Sequence, residues 1–143
     1  MSVRLVASAF DPWQEIARQQ AARPDLAGHY GATAVFIGSL RDFNQGRTVS
    51  AMTLEHYPGM TVKYLEKLEQ EARARWPVLD CLVIHRYGPL TPNDPIVLVA
   101  VWAAHRDAAF DACRYIIDEL KTRAPFWKQE QTPDGARWVT PGE

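Results

Sequence analysis

The chain has 143 residues, of which 47% are hydrophobic and 23% charged, and its formal net charge is -1. A chain of this size and composition forms one domain with its own core, which we take to span residues 1–143. The near-zero charge argues against a nucleic-acid partner. No apolar run reaches transmembrane length, and the N-terminal run is too short for a signal peptide. We therefore expect a cytoplasmic protein that has no membrane partner.

Hydrophobic patterning predicts ten elements in the order β-α-β-β-α-β-β-α-β-β. They lie at residues 3–9, 13–22, 32–40, 49–57, 60–76, 79–87, 96–103, 104–123, 126–132 and 136–139. Asp11 and Pro12 supply the N-cap and the first-turn residue of the first helix. The run at 32–40 is nearly all apolar, which predicts a strand buried on both faces, and Gly38 within it predicts a bulge or a close backbone approach.

This order alternates too irregularly for a doubly wound parallel sheet. It predicts an α+β domain in which an antiparallel or mixed sheet carries helices on one side. The two cysteines, Cys81 and Cys113, fall in apolar surroundings of a strand and a helix. We interpret both as small buried side chains rather than as reactive thiols.

The segment from Lys121 to Glu130 closes the long helix and opens a strand. A residue that precedes proline is driven out of the α region, so the pair Ala124-Pro125 ends the helix. In the strand, Phe126, Lys128 and Glu130 share one face. Two lysines on different elements can therefore meet at an anion beside aromatic side chains, where desolvation lowers the pKa of an amine. The alternative is that these lysines only complement the helix dipole.

Two further positions are candidates for anion binding. Arg41 opens the polar loop 41–47, either as part of a simple hairpin connection or as a planar fork that holds an anion. His105 and Arg106 stand where the long helix begins, and free N–H groups at a helix N-terminus favour anions. The alternative there is that His105 caps the helix and Arg106 is a surface charge.

Several segments of the chain, taken together, resemble the MoaE family, the large catalytic subunits of molybdopterin synthase. These segments are FIGSLRD at 36–42, LEHYPGM at 54–60, IHRYG at 84–88, AHRDAAF at 104–110, and YIIDELK at 115–121 running into APFWKQE at 124–130. The similarity covers residues 32–139 in the order of the family. It implies an α/β hammerhead fold with an additional antiparallel sheet.

The resemblance also implies a function, that of a sulfurtransferase in molybdenum cofactor biosynthesis. Members of the family install the two dithiolene sulfurs of molybdopterin on cyclic pyranopterin monophosphate. The sulfur arrives as a C-terminal Gly-Gly thiocarboxylate on a small ubiquitin-like carrier subunit. The family assembles as a heterotetramer, in which a homodimer of the large subunit carries one small subunit at each end. No cofactor and no metal ion is implied for the large subunit.

The family's functional residues fall on matching positions of this chain. Lys128 and Lys121 match the catalytic lysines, of which Lys128 is our choice for acid/base chemistry or for a covalent link to the carrier. The resemblance implies that a larger set contacts the substrate: Ser39, Leu40, Arg41, His105, Arg106, Lys121, Lys128, Gln129 and Glu130. His105 and Arg106 match an anion-binding pair that serves the neighbouring protomer's pocket. Phe36 and Trp127 are candidate walls for the flat pterin or for the carrier's tail, or are core residues.

One segment departs from the family pattern. Asn93-Asp94-Pro95 stands where a Gly-Asp-Glu-like turn is expected, and its proline removes a backbone donor at a strand edge. A different class of function also fits the residues, namely a non-catalytic module that binds a phosphorylated small molecule or a ubiquitin-like tail.

Overall fold

A computed structural model describes residues 2–57, 59–123 and 125–139. Within these ranges the chain forms ten strands and three α-helices. In chain order they are β1 (Val3–Val6), α1 (Pro12–Ala21), β2 (Ala32–Ser39), β3 (Phe43–Asn44), β4 (Arg47–Thr48), β5 (Ala51–His56), α2 (Met60–Arg75), β6 (Val78–Arg86), β7 (Gly88–Leu90), β8 (Pro95–Ala103), α3 (Arg106–Arg123), β9 (Phe126–Thr132) and β10 (Gly135–Val139). None of the helices in the described ranges is long and apolar enough to cross a membrane.

The first sheet has the strand order β1-β6-β8-β2, with β1 parallel to β6 and the other pairs antiparallel. Alternate residues of its central strands enter two separate apolar clusters. Val83 packs in the cluster that holds α2 and α3, whereas Leu82 and Ile84 pack on the other face, where Ile16 of α1 joins them. The expectation of helices on one side is therefore wrong. Central strands that are apolar on both faces need helices on both.

The N-terminus of α1 follows the sequence prediction. One carboxylate oxygen of Asp11 accepts hydrogen bonds from the backbone N–H groups of Trp13 and Gln14, at 3.0 and 3.4 Å. Pro12 occupies the first helical position, as predicted.

The described part of helix α3 ends at Arg123. Ala124, in the pair predicted to end this helix, lies outside the described residues.

Strand β2 lies at the edge of the first sheet, and it is not buried on both faces as its apolar run predicts. Val35 on its outer face is 36% exposed. The prediction for Gly38 is confirmed, because the pairing passes from Gly38 with Val97 to Ser39 with Pro95. Ile96 is left as an extra residue on β8, which makes a β-bulge. A Cβ on Gly38 would lie 2.8 Å from Val97 Cγ1, so a larger residue here would clash with that side chain.

The second sheet is antiparallel, in the order β10-β9-β5-β7, and a two-stranded ladder, β3-β4, lies apart from it. Its buried face holds a third apolar cluster, built on Leu40, Met52, Leu54 and Leu90. The α+β class and the additional antiparallel sheet are thereby confirmed. Strands β3, β4 and β7 fall in segments predicted as loop or turn.

Both cysteines are buried, as predicted, and neither is in a disulfide. Cys81 lies on β6, where burial raises the pKa of its thiol far above the ordinary value. Burial raises the pKa of Cys113 to about 11. Neither thiol is an available nucleophile near neutral pH.

Candidate functional site

The candidate site is a cleft between the two sheets. The end of β2, the β3-β4 hairpin, the last turn of α3 and strands β9 and β10 surround it. The residues that line it are Ser39, Leu40, Arg41, Phe43, Asn44, Met52, Ile96, Lys121, Lys128, Glu130 and Val139. Six of the residues that the resemblance implies for the substrate site therefore meet in one place.

The bulge between β2 and β8 shapes the first wall of the cleft. Ile96, the extra residue, joins the third apolar cluster and the cleft lining. Beyond the bulge, Leu40 donates its N–H to the carbonyl of Asp94 at 2.9 Å and accepts from the N–H of Asn93 at 2.7 Å. The chain between Ser39 and Arg41 is thus tied to the turn before β8. The segment Asn93-Asp94-Pro95, which differs from the family pattern, therefore supports this edge of the cleft through its hydrogen bonds to Leu40.

Lys121 lies in the last turn of α3 and reaches the cleft from the helix side. Burial lowers the pKa of its amine from the ordinary value, and the positive charge of Arg41 lowers it further. Arg41 and Lys121 both line the cleft, so their charges act on a common space. Two such cations stabilise a bound anion, and the amine with the lowered pKa is better able to exchange a proton.

Lys128 enters the same cleft from β9, where its side chain is half-buried. The alternation predicted for this strand is confirmed. Phe126 packs in the third apolar cluster behind the cleft, and Lys128 and Glu130 line the cleft itself. Trp127 lies on the opposite face, where its ring centroid is 4.6 Å from that of Tyr57. The two lysines are seven positions apart in sequence and converge through one helix-to-strand turn.

Glu130 is 4% exposed, and its carboxylate is already engaged within the protein. It accepts hydrogen bonds from Nδ2 of Asn44 at 3.1 and 3.3 Å and from Nε of Arg137 at 3.1 Å. A buried carboxylate is stable only with such partners. The bonds join β9 to the β3-β4 hairpin and to β10, so Glu130 holds the wall of the cleft in place.

Other candidates lie elsewhere. Gln129 pairs with Thr53 and Trp138 in the second sheet and is not part of the cleft lining. Phe36 packs against the core of the first sheet, so neither it nor Trp127 forms a wall of the cleft.

The aromatic ring in the cleft is that of Phe43, which sequence reasoning missed. The sequence could have indicated this, because Arg41 and Phe43 are alternate residues of one short segment. Alternate residues of an extended segment lie on the same face. The guanidinium carbon of Arg41 lies 4.9 Å from the centroid of the Phe43 ring.

His105 and Arg106 are exposed at the opposite end of α3 from Lys121. At 1.5 Å per residue, the 16 positions from His105 to Lys121 span about 24 Å. The structure therefore does not bring this pair to the cleft of its own chain. The backbone carbonyl of His105 accepts the N–H of Ala109 at 3.3 Å, which starts the helix.

A buried histidine lies behind the lysines. The ring of His85 stacks on that of Phe126 at a centroid distance of 4.0 Å, and its Nδ1 is 2.9 Å from the carbonyl oxygen of Arg86. Burial lowers the pKa of His85 to about 3, and the charges of Lys128 and Lys121 lower it as well. His85 is therefore neutral near pH 7 and adds no positive charge behind the two amines.

The cleft combines three cationic side chains, an aromatic ring and a rigid wall. Within residues 2–57, 59–123 and 125–139, no three His, Cys, Asp or Glu side chains gather as a metal site would require. The arrangement is able to bind an anionic group and to supply amines for proton transfer or covalent chemistry.

Comparisons with known proteins agree on one family. The family model described as MoaE protein matches residues 7–123. A molybdopterin synthase catalytic subunit from Pseudomonas aeruginosa is 52% identical over 139 residues, which make up 97% of this chain and 90% of the relative. A solved molybdopterin biosynthesis MoaE protein from Burkholderia ambifaria has a TM-score of 0.81 at 48% identity, with 99% and 90% of the two chains covered. A molybdopterin synthase structure from Staphylococcus aureus has a TM-score of 0.82 at 31% identity and covers 95% of each chain.

Proposed function

The chain belongs to the MoaE family, the catalytic subunits of molybdopterin synthase, and we propose that its cleft transfers sulfur to cyclic pyranopterin monophosphate. The enzyme is a sulfurtransferase. The observation that carries the proposal for the cleft is the meeting of Arg41, Lys121 and Lys128 on three different elements around one space. Such a site suits a small substrate that carries a phosphate.

The sulfur donor that we propose is the C-terminal thiocarboxylate of a small ubiquitin-like partner subunit. The relatives are named as catalytic subunits, which supports a partner subunit in the assembly. Both thiols of this chain are buried, and burial raises the pKa of each. An external sulfur source is consistent with that chemistry.

We propose the following division of labour in the reaction. Arg41 and Lys121 hold the cyclic phosphate, while the thiocarboxylate sulfur attacks a side-chain carbon of the pterin. A carbon–sulfur bond forms and the cyclic phosphate opens, with the electron pair leaving on a phosphate oxygen. Water then cleaves the acyl–sulfur bond, which releases the carrier as a carboxylate and leaves sulfur on the pterin. A second charged carrier delivers the other sulfur to the neighbouring side-chain carbon, which is at the carbonyl level. Its oxygen leaves as water, a second hydrolysis of the acyl–sulfur bond releases the carrier as a carboxylate, and the two sulfurs form the dithiolene.

Lys128 serves these steps either as general acid and base or as an amine that transiently holds the carrier's acyl group. Lys121 assists proton transfer, since its lowered pKa increases the fraction of neutral amine. His85 supports both by remaining neutral behind them.

The test is a turnover assay with thiocarboxylated carrier and cyclic pyranopterin monophosphate, in which mass spectrometry detects the dithiolene product. We expect product from the wild type and a loss of about 10²- to 10⁴-fold in turnover for Lys128→Ala. Lys67→Ala, on the exposed side of α2, is the matched control and should turn over normally. Full activity of Lys128→Ala would refute the role of this lysine. Intact substrate recovered from the wild type, with the carrier still bound, would instead support a non-catalytic binding module.

We further propose that two copies of the chain form the central homodimer of a heterotetramer, and that each copy lends His105 and Arg106 to the other's cleft. The support is the position of this pair, about 24 Å along α3 from Lys121 of the same chain. A second copy is the simplest source of two more cationic groups for a phosphate.

Complementation between variants tests this arrangement. Arg106→Ala and Lys128→Ala should each lose activity alone. When the two are mixed under conditions of subunit exchange, half of the dimers are hybrids, and each hybrid has one intact site. The mixture should recover about a quarter of the wild-type rate. No recovery in a mixture shown to contain hybrids would mean that Arg106 does not act across the dimer.

A further inference from the structure

The β3-β4 hairpin places an aromatic side chain beside the cationic groups of the cleft. Phe43 is 53% exposed, although a phenylalanine in a folded protein is usually buried. Within the described ranges, Phe43 is the one exposed large apolar side chain that also lines the cleft. Phe43 therefore presents part of its ring to the space in which a ligand would bind.

We propose that Phe43 stacks on the flat pterin ring of the substrate and selects planar heteroaromatic phosphates over other phosphate esters. This inference rests on the proposed function and assigns a specificity-determining residue to that site. Stacking of a heteroaromatic ring on an aromatic side chain stabilises such complexes without requiring a specific hydrogen bond. Any flat heteroaromatic ring can stack in this way. Phe43 therefore discriminates against phosphates that lack such a ring.

The geometry around Arg41 links the aromatic ring to the phosphate site. The guanidinium of Arg41 lies 4.9 Å from the centroid of the Phe43 ring, within the range of a cation–π contact. The same guanidinium lowers the pKa of Lys121, so its charge also acts on the space between the cations. A ligand whose anionic group is held by Arg41 and Lys121 is therefore within reach of the Phe43 ring.

The hairpin is anchored to the wall of the cleft by hydrogen bonds, and a stacking platform requires such anchoring. A two-stranded ladder this short is not stable alone. Its turn residues, Gln45 and Gly46, have φ values of 51° and 77°, as the tight hairpin turn demands. Asn44, next to Phe43, is 8% exposed and is hydrogen-bonded to the buried Glu130. Asn44 is thus a positioning residue for the ring.

Binding measurements with two phosphates test the inference. Dissociation constants are measured for cyclic pyranopterin monophosphate and for ribose 5-phosphate, on the wild type, Phe43→Ala and Phe43→Tyr. Phe43→Ala should bind the pterin on the order of tenfold more weakly and bind ribose 5-phosphate as the wild type does. Phe43→Tyr keeps the ring and should restore pterin binding. Trp13→Ala, which removes a 67% exposed aromatic side chain from α1, is the matched control and should change neither constant.

The positioning role of Asn44 is tested by a double-mutant cycle. Asn44→Ala should weaken pterin binding in the same direction as Phe43→Ala, by a smaller factor. The double variant Phe43→Ala/Asn44→Ala should bind no more weakly than Phe43→Ala alone, since a displaced hairpin no longer matters once the ring is gone. Additive losses would overturn the positioning role.

The outcomes separate this inference from the proposed function. If the wild type turns over and Phe43→Ala binds the pterin equally well, stacking is refuted and the sulfurtransferase function stands. Equal weakening of both phosphates would mean that Phe43 acts only through Arg41, which also refutes stacking. A wild type that neither binds nor converts the pterin would remove the proposed substrate and this inference together.

Discussion

The two four-stranded sheets of this molecule differ in what their buried faces contain. The first sheet buries apolar side chains on both faces, with Trp102, Leu98 and Ile84 almost fully excluded from solvent. The second sheet buries a smaller apolar cluster and, on the same face of β9, places Lys128 and Glu130. The difference indicates that one sheet supplies most of the stability, while the other combines a small core with two charged residues of the site.

The sheets meet where His85, in the penultimate position of β6, stacks on Phe126, the first residue of β9. Phe126 also lies 6.2 Å, centroid to centroid, from the ring of His56. This ring contact fixes the start of the strand that carries Lys128. The two sheets are thus physically linked at one pair of rings.

The largest expected effect comes from the same truncation in each sheet. Leu98 and Leu54 are both fully buried. Leu98→Ala should lower the free energy of unfolding by about 3–5 kcal/mol and leave the turnover of the folded enzyme unchanged. Leu54 is the cross-strand partner of Lys128, so Leu54→Ala should cost about 2–4 kcal/mol and also reduce turnover. Urea unfolding and turnover per folded molecule measure both quantities. Equal losses of turnover in the two variants would remove the distinction between the sheets.

A smaller effect is expected from pH, through the histidine at the contact between the sheets. The pKa of His85 is lowered to about 3 in the folded protein, against 6.5 ordinarily. Below pH 6.5 the unfolded chain takes up a proton that the folded chain refuses, so stability is fully present above that pH and falls as the pH drops. The resulting loss between pH 7 and pH 5 is about 2 kcal/mol. His85→Phe keeps a ring for stacking and should flatten this slope in urea unfolding at several pH values. An unchanged slope would place the titrating group elsewhere.

The smallest expected effect concerns the two charges that share the cleft with Lys128 of the second sheet. Arg41 lowers the pKa of Lys121, although burial is the larger cause. Arg41→Gln should therefore raise the pKa of Lys121, and the rising limb of kcat against pH should move to higher pH if the neutral amine takes part. Arg41→Lys retains the charge and should leave the limb near its wild-type position. The measurement is kcat at saturating substrate across pH, and a shift to lower pH in Arg41→Gln would contradict the assignment.

Long apolar runs made most of the fold predictable. The strands from Val78 to Arg86 and from Pro95 to Ala103, and the long helix α3, lie within one or two residues of their predicted bounds. The two-residue strands β3 and β4 and the three-residue β7 could not be found by periodicity, because such lengths contain no period to detect. The side occupied by α1 was also missed, since alternation within one strand does not say which helix covers which face.

The candidate site was predictable where its residues are local in sequence. Lys121 and Lys128 converge through one turn, and the proline after α3 gave the signal for it. Arg41 was found by its place at a strand end. Asn44 and Arg137 were missed because their role depends on a buried Glu130, and neither burial nor pairing across the second sheet is visible in the local pattern. Phe43 was passed over because an isolated aromatic residue in a polar loop has no periodicity.

The bulge opposite Gly38 has a consequence for how this chain tolerates changes in length. Ile96 is the extra residue of that bulge, and both the cleft lining and the tie between Leu40 and Asp94 lie next to it. Deleting one residue of β8 at this point would remove the bulge and restore a regular ladder. The residues between the bulge and the end of the strand would then change their pairing register, and their side chains would turn to the opposite face of the sheet. We therefore expect insertions and deletions at this bulge to be less well tolerated than substitutions.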